Sequence, residues 1–555
     1  MCGILFSLSP NTGSKLEDDP SWQELYKLLI NRGPDYFEVN SPENFFPDLK
    51  PNVGGFVLHL RGTEVTPQPM SNDEGDWMAF NGEIFGGINI SIDQNDTKII
   101  FQKLASCSNS DDIINLLSGV EGPYSILYYK KSHKRLYFGR DPMGRRSMLI
   151  HYPTEKLPHF IISSLAIRNP ETEDWKEVDP NTLYYLDMDE ESLGKPEVLL
   201  SNHVHPLKWN ESVNSSYFFP GQLVNQTINE ELKSIENTPE ELFDQLSGGS
   251  LDRVRSVQDK LSQSVKSRVE NIPDKRVGIL FSGGLDCAIL ARLCHDHLPS
   301  NLAIDLLNVG FENPRIQSHK KSDESKKYDV PDRLTGRQTY EELKSLCPER
   351  KWNFVEINVP YEQVLEYTDH IKRLIFPSDT VMDLSIALAF WFASRGKGVI
   401  YDKYANSYVE YHSTCRVLLS GLGADEQFGG YSRHLRAFES GQFEGLLSEI
   451  QLDVDRLPSR NLGRDDRVIS DHSKEVRFPF LDREFINLVN TIPIQYKMDL
   501  RYPKGTGDKL MLRQVAHQLG LKQACKFAKR AVQFGARTAK MDLGSRSVKG
   551  HERLN

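Results

Sequence analysis

The stretch from Val277 to His297, VGILFSGGLDCAILARLCHDH, constrains the fold of this 555-residue chain more than any other. Its first five residues have the length and composition of a buried strand, and the turn SGGLD follows at once. Beyond the turn, apolar residues recur at helical spacing from Ala288 to Cys294. The stretch therefore predicts a strand, a tight loop and a helix N-terminus, an arrangement that binds anions well.

The loop has the residue types that a phosphate group needs. Gly283 and Gly284 let backbone amides approach an anion closely, because no Cβ stands in the way. Ser282 adds a hydroxyl donor, and Asp286 is suited to hold a magnesium ion that bridges to phosphate oxygens. The Walker A spacing and its lysine are missing. The pattern is instead similar to S-G-G-x-D-[ST], the pyrophosphate loop of enzymes that cleave ATP to AMP and pyrophosphate, with an ordinary glycine-rich turn as the alternative.

Composition argues against several functional classes. The chain is 39% hydrophobic and 26% charged, values typical of a globular protein. No apolar run approaches the roughly 18 residues that a membrane span needs, and the N-terminus lacks the basic region of a signal peptide. A net charge of −10 argues against a nucleic-acid partner, and seven scattered cysteines argue against a disulfide framework or a zinc site. A cytoplasmic protein without a membrane partner is predicted.

Cys2 is a candidate nucleophile because of its place in the chain. Removal of Met1 would leave a cysteine whose α-amine lies beside its own thiol. An α-amine has a pKa of roughly 8 in unfolded peptides, low enough to act as a base near neutral pH. A thiol is a strong nucleophile, so one residue would supply both groups. A cysteine at this position means little alone, and the inference depends on the motifs that follow it.

Six motifs follow Cys2 in an order that resembles the class II glutamine amidotransferases, which are N-terminal-nucleophile glutaminases. They are NRGPD (31–35), LRGTEV (60–65), QP (68–69), FNGEIF (80–85), NDTKI (95–99) and FGRDPMGRRSML (138–149). With the pyrophosphate loop, the resemblance extends to the glutamine-hydrolysing asparagine synthetase family over most of the chain. FNGEIF, FGRDPMGRRSML, VPDRLTGRQTYEEL and KRAVQFGARTAK look most like the asparagine synthetase domain-containing proteins. One departure is Asn31, where the family usually has histidine.

The resemblance implies a role for each motif of the glutaminase. Cys2 would attack the side-chain amide of glutamine, while the Asn81 side chain and the Gly82 backbone N–H would stabilise the tetrahedral oxyanion. Arg61 would bind the α-carboxylate with its planar guanidinium group, for which a surface ion pair is the alternative. The glutamine-binding residues that the family pattern implies are Arg61, Asn81, Gly82, Glu83 and Asp96.

In the second half of the chain, strand-like and helix-like stretches alternate. This alternation predicts a doubly wound parallel sheet, whose ligands bind at the carboxyl ends of the strands. Phe281, Val309 and Ser420 are predicted to end three of those strands. The ATP-binding residues that the resemblance implies are Phe281, Ser282, Gly283, Gly284, Asp286, Val309, Ser420, Gly421 and Arg530.

The sequence SGLGADEQFGGY, at 420–431, resembles a second signature of the family, S-G-E-G-x-D-E-x-F-G-G-Y. Asp425 is predicted to hold Mg²⁺ together with Asp286, because a hard cation takes carboxylate and phosphate oxygens. Leu422 replaces the acidic residue of the signature and cannot accept a proton. Ala531 stands where the family keeps a lysine near the pyrophosphate, although Lys529 and Arg530 lie close by in the sequence.

With these patterns, the resemblance implies an α+β N-terminal-nucleophile sandwich domain at 2–200 and an α/β doubly wound, ATP pyrophosphatase-type domain at 250–540. A polar linker at 201–249 and a disordered tail at 541–555 are also predicted. By resemblance, the reaction converts aspartate, glutamine and ATP to asparagine, glutamate, AMP and pyrophosphate with Mg²⁺. Because of Leu422 and Ala531, two alternatives stay open: a different acceptor carboxylate, or a non-catalytic protein that binds glutamine or ATP. An oligomer is possible.

Overall fold

The computed structural model divides the chain into two compact units. Unit 1 consists of Met1–Ser215, His370–Asp379 and Pro458–Glu475, and unit 2 of Ser216–Asp369, Thr380–Leu457 and Val476–Asn555. The residues described are 2–10, 20–42, 49–168, 174–188, 200–209, 224–228, 238, 241–244, 246, 248–312, 327–459, 461–540 and 550–554. Most of the predicted linker and most of the predicted tail lie outside these residues.

The helices and strands are numbered in chain order. The helices are α1 (Pro20–Arg32), α2 (Asp96–Ala105), α3 (Ser110–Gly119), α4 (Glu241–Asp244), α5 (Gly248–Val269), α6 (Leu285–His297), α7 (Pro331–Leu346), α8 (Tyr361–Ile375), α9 (Val381–Arg395), α10 (Ala424–Phe428), α11 (Ser432–Arg456), α12 (Leu462–Ser470), α13 (Arg483–Thr491), α14 (Ile494–Lys497), α15 (Leu510–Gln518) and α16 (Val532–Gly535). The strands are β1 (Gly3–Pro10), β2 (Tyr36–Asn40), β3 (Leu49–Val57), β4 (Met70–Ser71), β5 (Trp77–Gly82), β6 (Tyr124–Lys130), β7 (Arg135–Arg140), β8 (Leu149–His151), β9 (Phe160–Ser163), β10 (Lys176–Glu177), β11 (Thr182–Asp187), β12 (Val204–Lys208), β13 (Val277–Leu280), β14 (Ile304–Phe311), β15 (Trp352–Val359), β16 (Lys397–Asp402), β17 (Ser407–His412), β18 (Val417–Leu419) and β19 (Glu475–Arg477). Within the described residues, no helix combines the length and the apolar composition needed to cross a membrane.

Unit 1 is built on two six-stranded sheets, of strand order β10-β8-β9-β1-β3-β2 and β12-β11-β7-β6-β5-β4. Side chains alternate between the two faces of a strand, so Ile4, Phe6 and Leu8 of β1 share one face. They pack in one buried cluster with Trp77 of β5 and Leu127 of β6. The two sheets therefore pack face to face, in agreement with the predicted α+β sandwich. The strand-like runs Tyr124 to Tyr129 and Leu136 to Phe138 flank the turn KKSHKR and predict a hairpin. Strands β6 and β7 form it, with Lys130 paired to Arg135 next to the turn.

Two short segments from the second half of the chain complete unit 1. The sequence prediction assigned both of them, 370–379 and 458–475, to the range 250–540. Arg467 lies in the second segment, where its guanidinium donates to Ser147 Oγ at 2.9 Å and to the carbonyls of Leu374 and Ile375. These contacts join the two segments to each other and to Ser147, which lies just before β8.

Unit 2 contains a seven-stranded sheet of order β17-β16-β15-β14-β13-β18-β19. The pairs among β18, β13, β14 and β15 are parallel, as the alternation of strands and helices predicts. The sheet is mixed rather than purely parallel, because the hairpin of β16 and β17 adds antiparallel pairs at one edge. Strand β14 also continues to Phe311, which pairs with Val359, so Val309 lies inside the strand and not at its end.

Candidate active sites

Cys2 lies at the start of β1 and is partly buried. Its Sγ lies 4.0 Å from the carbonyl oxygen of Leu58 and 4.0 Å from Nε2 of Gln68. Burial raises the pKa of the Cys2 thiol, and the negative charges of Glu475 and Glu83 act in the same direction. A raised pKa means that the thiol needs a base in order to react near neutral pH.

Asn81 and Gly82 end strand β5, where they pair with Ser125 and Tyr124 of β6. Asn81 is fully buried, and neither polar atom of its amide has a hydrogen-bond partner in the described part of the chain. Such a group costs about 1–3 kcal/mol, so an unsatisfied amide in a native structure calls for an explanation. Gln68 connects this strand to Cys2, because its Oε1 accepts from the backbone N–H of Phe80 at 2.6 Å.

Arg61 and Asp96 come together around the backbone of Ile84. Arg61 Nη1 donates to the carbonyl of Ile84 at 2.6 Å, while Asp96 Oδ2 accepts from its N–H at 3.1 Å. Arg61 Nη1 and Asp96 Oδ2 are 3.7 Å apart, and both side chains are 4% exposed. Burial raises the pKa of Asp96, although the nearby guanidinium opposes the change. Glu83 is also buried, directly after β5. Of the five residues predicted to bind glutamine, two therefore end β5, Glu83 follows it, and Arg61 and Asp96 contact the backbone of Ile84 just beyond it.

The pyrophosphate-type loop of unit 2 has the predicted strand, loop and helix. Gly283 has a φ of +77°, and a Cβ there would lie 2.4 Å from Cα of Gly336, so the position requires glycine. Thr339 of α7 donates to the carbonyl of Gly283 at 2.7 Å and fixes the loop. Gly284 is the N-cap of α6 and provides no side-chain cap for the N–H groups of the first turn.

Asp286 and Asp425 both form salt bridges with the ammonium group of Lys509. Lys509 Nζ lies 2.7 Å from Asp286 Oδ2 and 2.8 Å from Asp425 Oδ1, and the Lys509 side chain is 2% exposed. Lys529 also contacts Asp425 through a salt bridge. Although burial acts in the opposite direction, the two ammonium groups hold the pKa of Asp425 well below its usual range. The two carboxylates predicted to act together are thus brought together.

The other predicted ATP contacts surround this pair. Ser420 follows β18, and its Oγ accepts from the N–H of Leu422 at 3.3 Å. A Cβ on Gly421 would lie 2.8 Å from Cβ of Asp286, so the two signature motifs are in direct contact. Phe281 follows β13, and its carbonyl accepts from Asn308 Nδ2 at 2.8 Å. Val309 is buried in the neighbouring strand.

Leu422 and Ala531, two positions that depart from the family pattern, lie in unit 2 as well. Leu422 is partly exposed, next to Gly421, and Ala531 is the N-cap of α16. Of the two nearby cations, Lys529 contacts Asp425, whereas Arg530 Nη1 lies 3.7 Å from Asp332 Oδ1. Lys529 therefore brings positive charge to the carboxylate pair, and Arg530 serves a different carboxylate.

The donor set fits Mg²⁺ only with a phosphate partner. Within the described ranges, no cluster of three or more His, Cys, Asp and Glu side chains is placed to hold a metal ion. Mg²⁺ commonly binds through one or two carboxylates together with substrate phosphate oxygens and water. Asp286 and Asp425 would supply the carboxylates, since both already bind the ammonium group of Lys509.

Asp332 provides a pH-dependent group next to this site. Its carboxylate lies against Gly535, where a Cβ would be 2.0 Å from Oδ1. Burial raises the pKa of Asp332 to about 7, against the lowering effect of Arg530 and Lys529. In the unfolded chain the same group has a pKa of about 3.9. The folded protein therefore holds this proton more tightly than the unfolded chain between about pH 4 and pH 7.

We expect the Asp332→Asn variant to lose the part of the pH dependence of the unfolding free energy that comes from this carboxyl group. In the wild type, the raised pKa makes the free energy of unfolding fall as pH rises toward 7 and then level off. Between pH 5 and pH 8 the loss from this group amounts to roughly 2–3 kcal/mol. The measurement is urea unfolding of both proteins at pH 5 and pH 8. Relative to the wild type, Asp332→Asn should be more stable at pH 8 than at pH 5. An equal difference at both pH values would contradict the raised pKa.

Sequence reasoning assigned no role to three residues that the structure places at these sites. Gln68 lies in the QP motif, and Lys509 lies in GDKLMLRQVA (507–516), a stretch that also resembles the asparagine synthetase family. Cys287 occupies the Ser/Thr position of the loop pattern, and its Sγ contacts the carbonyl of Gly284 at 3.2 Å. The signal for Lys509 was its place in a recognised motif, but its partners are 223 and 84 residues away in the sequence.

The sequence of this chain is similar to known proteins of one family. Residues 444–544 match the family described as asparagine synthase. Asparagine synthetase domain-containing protein 1 of Gallus gallus is 35% identical, over 98% of this chain and 98% of its own length. The Homo sapiens protein of that name is 36% identical, over 98% and 96%. A Bacillus subtilis glutamine phosphoribosylpyrophosphate amidotransferase covers 58% of this chain and 69% of its own at 12% identity, but its TM-score of 0.26 is too low to support an argument.

A two-unit chain with an asparagine synthase domain is a protein of the asparagine synthetase type. More narrowly, it belongs to the asparagine synthetase domain-containing protein 1 family, because it matches these relatives over nearly their full length. The resemblance drawn from the sequence motifs is thereby confirmed.

Proposed function

We propose that this protein is a glutamine-dependent, ATP-consuming amidotransferase that converts aspartate to asparagine. The observation that carries the proposal is that Asp286 of the SGG loop and Asp425 both contact the ammonium group of Lys509. These carboxylates come from two separate signature motifs, and an ATP pyrophosphatase needs both next to the glycine loop. The second support comes from unit 1, where the unsatisfied amide of Asn81 and the charged groups of Arg61 and Asp96 suit a glutamine substrate.

In the proposed glutaminase step, Cys2 Sγ attacks the side-chain amide carbon of glutamine. The α-amine of Cys2 takes the thiol proton and passes it to the leaving ammonia, and water then hydrolyses the thioester to glutamate. The buried amide of Asn81, which has no hydrogen-bond partner among the described residues, donates to the oxyanion. Arg61 holds the α-carboxylate and Asp96 the α-ammonium group. The step requires a free α-amine on Cys2, which an intact-mass measurement checks.

In the proposed synthetase step, the acceptor carboxylate attacks the α-phosphorus of ATP, and pyrophosphate leaves. Ammonia then attacks the acyl carbon and AMP leaves. The backbone amides at Gly283 and Gly284 and the N-terminus of α6 hold phosphate oxygens. Mg²⁺, when bound by Asp286 and Asp425, neutralises charge on the pyrophosphate. Lys529 and Lys509 lie next to the same carboxylates and add positive charge for the leaving group.

A second candidate is the same chemistry on a different acceptor. Leu422 lies beside Gly421, where the family signature has an acidic residue that accepts a proton from ammonia. A leucine cannot do so, and its side chain would favour an acceptor with an apolar part near the reacting carboxylate. The non-catalytic alternative is the weaker one, because Cys2, Asn81, Asp286 and Asp425 are all present.

The test is transfer of labelled nitrogen. The full-length protein is incubated with amide-¹⁵N glutamine, aspartate and Mg-ATP, and the label is followed by mass spectrometry. Labelled asparagine with an equal amount of AMP is the expected result. Labelled ammonia without asparagine would favour another acceptor. Absence of both labelled ammonia and AMP would overturn the enzymatic proposal in favour of a binding protein.

A further inference from the structure

The backbone of Cys2 is held by a buried arginine. Arg32, the last residue of α1, is fully buried, and its Nε donates to the carbonyl oxygen of Cys2 at 3.2 Å. The thiol itself has longer contacts, of 4.0 Å, to the carbonyl oxygen of Leu58 and to Nε2 of Gln68. A nucleophile performs well only when its geometry is fixed to a fraction of an ångström by neighbours that are themselves fixed. The orientation of Arg32 therefore bears directly on Cys2.

Arg32 is oriented in turn by helix α12. Its Nη2 donates to Asp466 Oδ2 at 2.8 Å, and its Nη1 donates to Ser470 Oγ at 2.5 Å. Both partners are fully buried and lie one helical turn apart on the same face of α12. The three donor contacts of Arg32 therefore run from α12 at one end to Cys2 at the other.

Asp466 is also fixed by its other neighbours. Its Oδ2 accepts from the backbone N–H of Ser147 at 3.2 Å, and its Oδ1 lies 3.7 Å from Arg146 Nη1. Arg146 in turn contacts Glu475 at 3.0 Å, with side-chain exposures of 0% and 2%. Asp466 thus stands between two buried guanidinium groups, where water cannot take over its charge.

We propose that Asp466 is a positioning residue for Cys2, which it serves by holding Arg32 against the Cys2 carbonyl. The inference rests on the proposed glutaminase function and names a residue 434 positions from Arg32 in the sequence. The segment that supplies Asp466, Pro458–Glu475, is flanked on both sides by residues of unit 2. The glutaminase site is therefore incomplete without the second half of the chain.

The test compares Asp466→Asn with Asp471→Asn in the full-length protein. Asp471 follows α12 and binds Asn31 and His370 at 3.0 and 2.6 Å, so it is a control of the same residue type whose hydrogen bonds named here go to residues other than Arg32. Asparagine keeps the shape of Asp466 but cannot offset the charge of Arg32. We expect Asp466→Asn to lower kcat for glutamine hydrolysis at least about tenfold with KM within about twofold, because Arg61 and Asp96 still bind glutamine. Asp471→Asn should leave both constants unchanged.

A second readout separates this inference from the proposed function. The rate of Cys2 alkylation by iodoacetamide, followed by peptide mass spectrometry, should change in Asp466→Asn and not in Asp471→Asn. If the wild type does not hydrolyse glutamine, the proposed function fails and the alkylation rates alone decide the role of Asp466. If Asp466→Asn does not fold, Ser470→Ala, which removes one Arg32 contact, takes its place with a smaller loss. A folded variant with unchanged kcat and an unchanged alkylation rate would overturn the inference.

Discussion

Glutamine hydrolysis is expected to disappear in the Cys2→Ala variant, while ATP-dependent chemistry in unit 2 persists. Alanine removes the only atom that can form the thioester, so the rate should fall by at least about 10⁴-fold, to background. Glutamate release, measured with a coupled dehydrogenase, reports the first activity. Exchange of labelled pyrophosphate into ATP in the presence of the acceptor reports the second.

The rate of glutamine hydrolysis by Asn81→Ala should lie between the rates of the wild type and of Cys2→Ala. Loss of one oxyanion donor typically lowers kcat by about 10²–10³-fold, and KM should change little because the donor acts mainly in the transition state. Asn109→Ala is the matched control, since that side chain accepts from Asp112 N–H as the exposed N-cap of α3. Hydrolysis by Cys2→Ala at the wild-type rate would exclude the thiol as the nucleophile. An unchanged kcat in Asn81→Ala would exclude the amide as the oxyanion donor.

The parts of the fold that the sequence predicted are those that neighbouring residues determine. The strand, loop and helix around Gly283 follow from an apolar run, glycines and helical spacing within 21 residues. The hairpin of β6 and β7 follows from two strand-like runs and a short polar turn. In both cases the residues that set the backbone conformation lie beside the residues that adopt it, so no tertiary contact is needed to recognise the element.

Contacts between distant residues were beyond such reasoning. The NRGPD motif that contains Arg32 gives no sign that its side chain is buried against Asp466, and Asp466 looks like an ordinary charged residue in the sequence. The same holds for Lys509, which looks like a surface lysine at the start of α15 until Asp286 and Asp425 are placed on either side of it. Buried charges are defined by their partners, and the partners here are brought together only by the folded chain.

The parallel pairing of the central strands agrees with the predicted doubly wound sheet, whereas the antiparallel hairpin at one edge was not predicted, for a related reason. Strands β16 and β17 form a hairpin whose outer strand alternates between exposed and partly exposed residues. A strand at a sheet edge lacks the continuous apolar run that marks the central strands β13 and β14. The central strands were therefore recognised and the edge hairpin was not.

Lys509→Met should destabilise unit 2 and make its stability depend on the concentration of Mg²⁺. Methionine keeps much of the length of the side chain but leaves Asp286 and Asp425 without their shared cation. Removal of one partner from a buried ion pair costs about 3–5 kcal/mol, so the urea midpoint should fall clearly. Lys504→Met is the control, because Lys504 is an exposed lysine in the same loop, and its change should stay within about 0.5 kcal/mol.

Mg²⁺ provides the sharper half of this experiment. In the wild type, the ammonium of Lys509 competes for the two carboxylates, so millimolar Mg²⁺ without ATP should shift the unfolding midpoint little. In Lys509→Met that competitor is gone, and a bound ion stabilises the folded state by RT ln(1 + [Mg²⁺]/Kd). A midpoint that rises with Mg²⁺ in the variant alone would locate the ion at Asp286 and Asp425. An identical response in both proteins would mean that the ion binds elsewhere, because only this site differs between them.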